Sequence, residues 1–510
     1  MPEPEKTISE NSDASDGASG RSRFLFLSAI YLLGDMLTKG ARIILLPIYL
    51  AVMTQAEIGE LAIVQAIIFC SWTILGFGFT YAVHKYYVKY EENGDALVSS
   101  LWLARLVGGL PFYGLLLVIG YAFSQFAHGA ISWQLVFLAI TAGYLRGGIN
   151  LVEFWFNVQD KPVKHRSFTF CQFLLTTLLV IYLVVFKEMG VLGVVVSELT
   201  SYSVFVFVSA FVLFRRSLPK LQAVRWREVI GYCLPALPYN FFMWGLFGVD
   251  RLILNEYVPR SEIGIYSIGY TLASCLSIFV YSMRAAWLPS FFKAAEQGAG
   301  GKQFKETAYI YFFVILFAGL SVMLFAPEIV EIIGMTAAVS YARSANVMQI
   351  VLYAYIANSF FLALNKPLFY RQRTGLISMI SAMGLLVNVV VNLWLIPQFG
   401  IFGAAVASAV AYTVMAVLAY FVSQKVYPFD WHIRKLIPCF AAFLLFGMIA
   451  CFLPGRIDVW FVLLKLFMLV TFVLLTFFEI RTTNKDQFVF GFRFSTHSIG
   501  AAKDSAQGPA

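Results

Sequence analysis

The stretch FLFLSAIYLLGDMLTKGARIILLPIYLA, residues 24–51, decides the class of the fold. It is long enough to cross a hydrocarbon layer about 30 Å thick. It is apolar throughout except for Asp35, Lys39 and Arg42, which follow one another at i, i+4 and i+7 and so share one helical face. A charge at bilayer depth costs roughly 2.5–3.5 kcal/mol on insertion scales, so the trio calls for about 9 kcal/mol of compensation. Either these side chains pair with one another and their neighbours, or they line a wet cavity where fixed positive charge meets an anionic substrate.

The rest of the chain extends the pattern. Its 510 residues are 60% hydrophobic and 13% charged, where soluble domains carry roughly 25% charged residues. Runs such as 312–326 and VWFVLLKLFMLVTFVLLTFF (459–478) are apolar on every face, which a membrane β-barrel's short alternating strands would not be. The expected fold is an all-α polytopic membrane protein. Fourteen spans are read at 24–51, 58–82, 99–123, 133–157, 167–186, 190–214, 229–249, 263–289, 307–326, 345–365, 375–396, 401–423, 436–454 and 458–479.

An even number of spans puts both termini on one side, and the basic residues say which. Of 37 lysines and arginines, 26 fall in segments that are cytoplasmic if the N-terminus is. Five (Lys187, Arg251, Arg260, Arg343 and Arg456) fall outside, and six (Lys39, Arg42, Arg105, Arg146, Arg284 and Lys465) fall within spans. This asymmetry is that of a multi-pass membrane protein with cytoplasmic termini. The net charge of +9 is thereby assigned to loops facing anionic lipid and gives no case for nucleic acid. The six cysteines lie inside spans without ligand spacing, which argues against both disulfides and a metal site. The histidines are scattered in loops and tails.

An internal repeat divides the chain. Glu57-Ile58-Gly59 recurs as Glu262-Ile263-Gly264 at an offset of 205. Gly190-Val191-Leu192-Gly193 recurs as Gly400-Ile401-Phe402-Gly403 at an offset of 210. The expected organisation is a disordered tail (1–22), a first lobe of six spans (23–214), a basic cytoplasmic linker (215–228), a second lobe (229–425), two further spans (426–480) and a second tail (481–510). Two parallel copies of a six-span unit place a substrate site between them and suit a transporter that rocks its halves. The candidate residues for that site are charged. Beside the first-span trio stand Arg146, Asn150 and Glu153 at the same spacing in span four, Arg105 in span three, Glu198 in span six and Arg284 in span eight. Arg105 and Arg284 are placed where they either face the cavity or snorkel to headgroups. The second half is read as poor in buried charge.

The runs PIYLAVMTQAEIGELAIVQAI (47–67) and GFGFTYAVHKYY (76–87) resemble the opening of the polysaccharide transporter family within the MATE and lipid-flippase superfamily. VDRLILNEYVPRSEIGIYSIGYTLAS (249–274), AAWLPSFFK (285–293) and NLWLIPQFGIFGAAVAS (392–408) resemble its second-half signatures, in the same order. The resemblance implies two six-helix lobes in a V and flipping of undecaprenyl-diphosphate-linked oligosaccharide to the outer leaflet for O-antigen, capsule or exopolysaccharide assembly. Polymerase and other assembly proteins are the implied partners besides the lipid bilayer. Lys39 and Arg42 match the family's first-helix cations, with Asp35 beside them and Arg146 as a further partner. Asp250-Arg251 matches a recurrent pair that serves as an outer gate, an interlobe tie or a structural pair.

Lysine and arginine would neutralise the diphosphate oxygens, with Lys39, Arg42, Arg146, Arg105 and Arg284 as candidates. Asp35, Glu153 and Glu198 would balance charge or carry a coupling ion. No cofactor or catalytic residue is expected, and the drive would come from the membrane potential or from proton or sodium coupling. A drug exporter of the related multidrug branch shares the fold but would have to admit hydrophobic cations to a positive cavity. A membrane polymerase or ligase would need a sizeable external catalytic loop that the sequence does not contain.

Overall fold

The first complete helix begins where its cap dictates. Thr54 accepts a hydrogen bond on Oγ1 from the backbone N–H of Glu57 (3.3 Å), and the Glu57 carboxylate accepts from the N–H of Thr54 (2.8 Å). This reciprocal box satisfies two of the donors that a helix start leaves open. The computed structural model describes residues 45–90, 93–126, 131–159, 161–296, 302–335, 340–428, 431, 433–453 and 458–483. Asp35, Lys39 and Arg42 lie outside the described residues, as do the expected first tail and residues 484–510 of the second, while 481–483 of that expected tail continue the last helix.

In chain order the helices are α1 (Gln55–Leu75), α2 (Phe79–Tyr86), α3 (Gly94–Gly108), α4 (Leu110–Phe126), α5 (Trp133–Val158) and α6 (Pro162–Val180), which continues through a π turn to Phe186. Then come α7 (Gly190–Arg216), α8 (Trp226–Cys233), α9 (Leu237–Tyr257), α10 (Arg260–Glu296), α11 (Lys302–Leu324) and α12 (Ala326–Gly334). The chain continues with α13 (Arg343–Leu364), α14 (Lys366–Tyr370), α15 (Thr374–Phe399), α16 (Ile401–Val426), α17 (Ile433–Phe452) and α18 (Val459–Thr483). No strand occurs among the described residues. In a bilayer this is required, because a helix satisfies its backbone polar groups internally.

Nine of the described helices are long and apolar enough to span a membrane, and eleven if α3–α4 and α11–α12 are each one bent span. The shorter apolar α17, the 21-residue α9 and the first span, helical over the described residues 45–52, account for the fourteen read from the sequence. One span is displaced from its expected position. Span seven occupies 237–257 instead of 229–249, because Pro235 and Pro238 interrupt the apolar run and a short 3₁₀ turn (Leu234–Ala236) separates α8 from α9. The shift draws Asp250 and Arg251 from the span's expected end into its buried interior.

The repeat is visible in the backbone. The bent spans, 41° at α3–α4 and 53° at α11–α12, are the third of each half. Gly190 and Gly400 open the sixth span of each half with matching left-handed φ values of +53° and +56°, a conformation that disfavours any residue with a Cβ. Gly59 and Gly264 meet across the molecule. A Cβ on Gly59 would enter the carbonyl oxygen of Arg260, and a Cβ on Gly264 that of Gln55, so the starts of α1 and α10 cross backbone against backbone. The repeated motif Glu-Ile-Gly is therefore a contact between the copies, of the small-residue kind that lets membrane helices approach closely.

The two halves are tied further by Arg260 to Glu60 (3.1 Å) and by Gln55 Nε2 donating to the carbonyl of Ser340 (3.1 Å). Trp244 Nε1 donates to the carbonyl of Ala66 (3.1 Å), and Tyr81 OH donates to Asn240 Oδ1 (2.9 Å). Replacing Gly264 by Val is expected to force this crossing apart. Spin labels at Thr54 and Ser261 should then report a longer distance than in the parent protein, and an unchanged distance would show that the glycines are not the contact.

Candidate functional site

Inside the first half, α1, α5 and α7 bring polar side chains together. Arg146 on α5 donates from Nη1 and Nη2 to the two carboxylate oxygens of Glu153 (3.0 and 3.3 Å), two turns further along the same helix. Asn150 donates to the same carboxylate at 3.4 Å. Trp72 and Tyr202 flank the guanidinium with ring centroids at 5.3 and 6.0 Å. Gln65 on α1 donates to Glu198 on α7 (2.9 Å). The spacing Arg146, Asn150, Glu153 thus makes a bidentate pair instead of a lone cation, which is how a charge-assisted fork is satisfied in a dry interior. Within this described cluster two carboxylates stand against one guanidinium.

Of the two sequence expectations for Arg105, snorkelling is the one its burial excludes. The side chain is 1% exposed and donates from Nη2 to the carbonyl of Tyr144 on α5. Its Nε and Nη1, with Trp102 Nε1 beside them, are buried without a hydrogen-bond partner among the described residues. Gly147 and Gly148 leave the space that the guanidinium occupies.

The second half holds more buried charge than its sequence suggests. Asp250 and Arg251 on α9 form a pair at 3.3 Å, with Asp250 accepting from Tyr266 OH and Arg251 donating to the carbonyl of Phe247 (2.7 Å). The Tyr270 ring lies 4.4 Å below the guanidinium. These partners lie on α9 and α10, so the pair binds helices within the second half. Lys465 on α18 is fully buried and paired to Glu328 on α12. That contact pins the last helix to the bent ninth span.

Two buried or half-buried cations in this half have no carboxylate within salt-bridge distance among the described residues. Arg284, half-buried on α10, lies beside the ring of Tyr281 (5.1 Å). Lys366 opens α14, is 8% exposed and has the Phe369 ring 4.7 Å from its ammonium. The charged group bearing on Lys366 is Arg284, which carries the same sign. Arg284 also acts on Tyr239 of α9, and Tyr239 neighbours Tyr81 of α2 in the first half. Lys366 was counted from the sequence among loop cations, because Asn365-Lys366-Pro367 ends the apolar run. The structure continues the helix past that point and buries it.

Comparison with known proteins follows from this architecture. The family signature described as "Polysaccharide biosynthesis protein" matches residues 28–295. The chain belongs to that family. The MatE signature matches residues 235–394. Two Haemophilus influenzae proteins, an uncharacterized membrane protein and "Lsg locus putative protein 1", are each 22% identical over 279 and 286 residues. In both cases the match covers 53% of this chain and 66% of the relative, just under two thirds of its length.

Among solved structures, the lipid II flippase MurJ in an inward closed conformation superposes with a TM-score of 0.66 at 12% identity, covering 90% of this chain and 98% of MurJ. A MOP superfamily transporter from Pyrococcus furiosus gives 0.58 at 14% identity, over 78% and 95% of the two chains. A Vibrio cholerae MATE transporter gives 0.56 at 12%, over 80% and 97%. This member of the polysaccharide biosynthesis protein family therefore has the fold of membrane transporters of the MATE and MOP type.

The buried pairs of this fold allow a direct check. Lys465→Met alone should leave Glu328 buried without its counter-charge and cost about 3–5 kcal/mol. The double change Lys465→Met with Glu328→Leu should recover most of that loss. Denaturant unfolding in detergent measures both, and equal losses in the single and double variants would show that the pair does not hold α18 to α12.

Proposed function

We propose that the protein flips an undecaprenyl-diphosphate-linked oligosaccharide from the cytoplasmic to the outer leaflet of the bacterial plasma membrane, for assembly of a surface polysaccharide. The observation that carries this reading is the pair of like charges, Arg284 and Lys366, held in the second half with no carboxylate within salt-bridge distance among the described residues. A cation buried without a counter-ion is costly, so its retention points to an anionic ligand that supplies the missing charge. A diphosphate does so with several strong acceptor oxygens. In the first half the described cluster of Arg146, Glu153 and Glu198 carries one negative charge in excess, which the first span (Lys39 and Arg42 against Asp35) would balance, so the uncompensated positive charge of this reading lies at Arg284 and Lys366.

In this reading Lys39, Arg42, Arg284 and Lys366 bind the head group, Arg105 adds positive potential from behind, and Arg146, paired to Glu153, orders the first-half cluster beside them. Asp35, Glu153 and Glu198 balance charge or carry a coupling ion. Asp250 and Arg251 act as a tie that keeps α9 and α10 moving together. The sugar meets polar and aromatic walls, and the polyprenyl tail stays in lipid between the lobes. With cytoplasmic termini, the Gly59–Gly264 crossing closes the outer end, so the halves would rock about that contact to open it.

Moving two negative charges outward from a negative interior is favoured by up to roughly 4.6 kcal/mol per 100 mV. The potential can thus supply direction without a cofactor. Drug export is disfavoured because a hydrophobic cation would meet like charge at Arg284 and Lys366.

The test is complementation in cells lacking the gene, with protein abundance measured alongside. Lys39→Ala, Arg42→Ala and Lys366→Ala should each cut surface polymer severely and leave the lipid-linked intermediate on the cytoplasmic leaflet. Normal export by all three would overturn the assignment, and loss of drug resistance with normal polymer would replace it by the exporter.

A further inference from the structure

At one end of the first half, away from the contact between the halves, the ends of α5 and α7 and the start of α6 enclose two adjoining grooves of about 490 and 510 Å³. The first groove is apolar, with Phe168, Phe205 and Val208 among its walls, whereas the second is mostly cationic, with only Phe211 and the shared Val212 apolar. Lys164 and Arg216 border both grooves, and Arg215 borders the second. All three side chains are exposed. Arg216 is paired to Asp95 at 3.6 Å. Lys164 and Arg215 have no carboxylate within salt-bridge distance among the described residues. Nearby, burial and the charges of Arg216 and Lys164 hold the Lys161 ammonium below its ordinary pKa, a second sign of uncompensated positive potential.

We infer that this double groove binds an anionic glycerophospholipid of the bilayer, acyl chain in the first groove along Phe168, Phe205 and Val208 and phosphate in the second on Lys164 and Arg215. Three features of the site select that occupant. An apolar space adjoins a cationic one, which fits an amphiphile with its chain in the first and its head in the second. Three of the five residues lining the second groove are cations, where a headgroup lies and an acyl chain does not. Their sign selects an anionic headgroup over a zwitterionic one, as basic clusters at the membrane surface do. The inference is independent of the transport reading, since the grooves lie outside the proposed substrate path.

Native mass spectrometry of the full chain released from nanodiscs tests it, with equal amounts of phosphatidylglycerol and phosphatidylcholine offered. Phosphatidylglycerol should be retained preferentially. Lys164→Ala with Arg215→Ala should weaken that retention by about thirtyfold, at about 1 kcal/mol per surface cation, and Val212→Trp should reduce it without touching a charge. Equal retention of the two lipids, or unchanged retention in both variants, would overturn the inference. So would displacement of the bound phosphatidylglycerol by a stoichiometric polyprenyl diphosphate, which would assign the groove to the carrier lipid. Thermal unfolding of each variant close to that of the parent shows that lost retention is not lost fold.

Discussion

An ionised side chain inside a membrane protein must be matched by an opposite charge, by hydrogen bonds or by a ligand, and this constraint organises the molecule. Arg146 is matched by Glu153, Arg251 by Asp250 and Lys465 by Glu328. Each match fixes something: the first orders the interior of the first half, the second joins α9 to α10, and the third holds α18 against α12. Such pairs are weak evidence for stability as such, because desolvation offsets much of the attraction. Their value here is positional. Among the described residues no carboxylate matches Lys366, Arg284 or Arg105, and in the proposed function a bound anion supplies the missing charge at the first two.

The repeat supplies the frame on which these charges are mounted. Two copies of a six-helix unit meet through the starts of α1 and α10, at glycines whose lack of a side chain permits the approach. The glycine contact is backbone to backbone, the neighbouring ties, Glu60 with Arg260 and Gln55 with Ser340, are polar, and α1 packs along α10 and α9 beyond them. Transporters built from two such halves rock them about their contact.

Much of this was legible in the sequence, and for identifiable reasons. Hydropathy located the spans because the bilayer fixes their length. The Glu-Ile-Gly and Gly-x-x-Gly repeats were visible because each is demanded by backbone geometry, either a close crossing or a left-handed φ. What stayed hidden depended on three-dimensional pairing. Nothing in the local sequence joins Lys465 to Glu328, 137 residues apart, and Glu328 reads as a loop residue until the ninth span is seen to bend. Lys366 was misplaced because a proline follows it, although a proline near a helix start is tolerated. Arg146 was correctly placed near Glu153 by spacing, but the spacing alone did not say that the two would pair. The first-span trio, from which the functional argument starts, lies outside the described residues.

The central claim, that unmatched cations in the interior exist to bind and move a lipid-linked diphosphate, is tested most directly in proteoliposomes. Purified protein is reconstituted with a fluorescent polyprenyl-diphosphate oligosaccharide, and its transbilayer movement is followed with a potential imposed across the membrane. The account predicts movement well above protein-free vesicles, faster when the destination leaflet faces the positive side, and abolished by Lys366→Ala. Movement no faster than in protein-free vesicles, or equal movement by the Lys366→Ala protein, would contradict it.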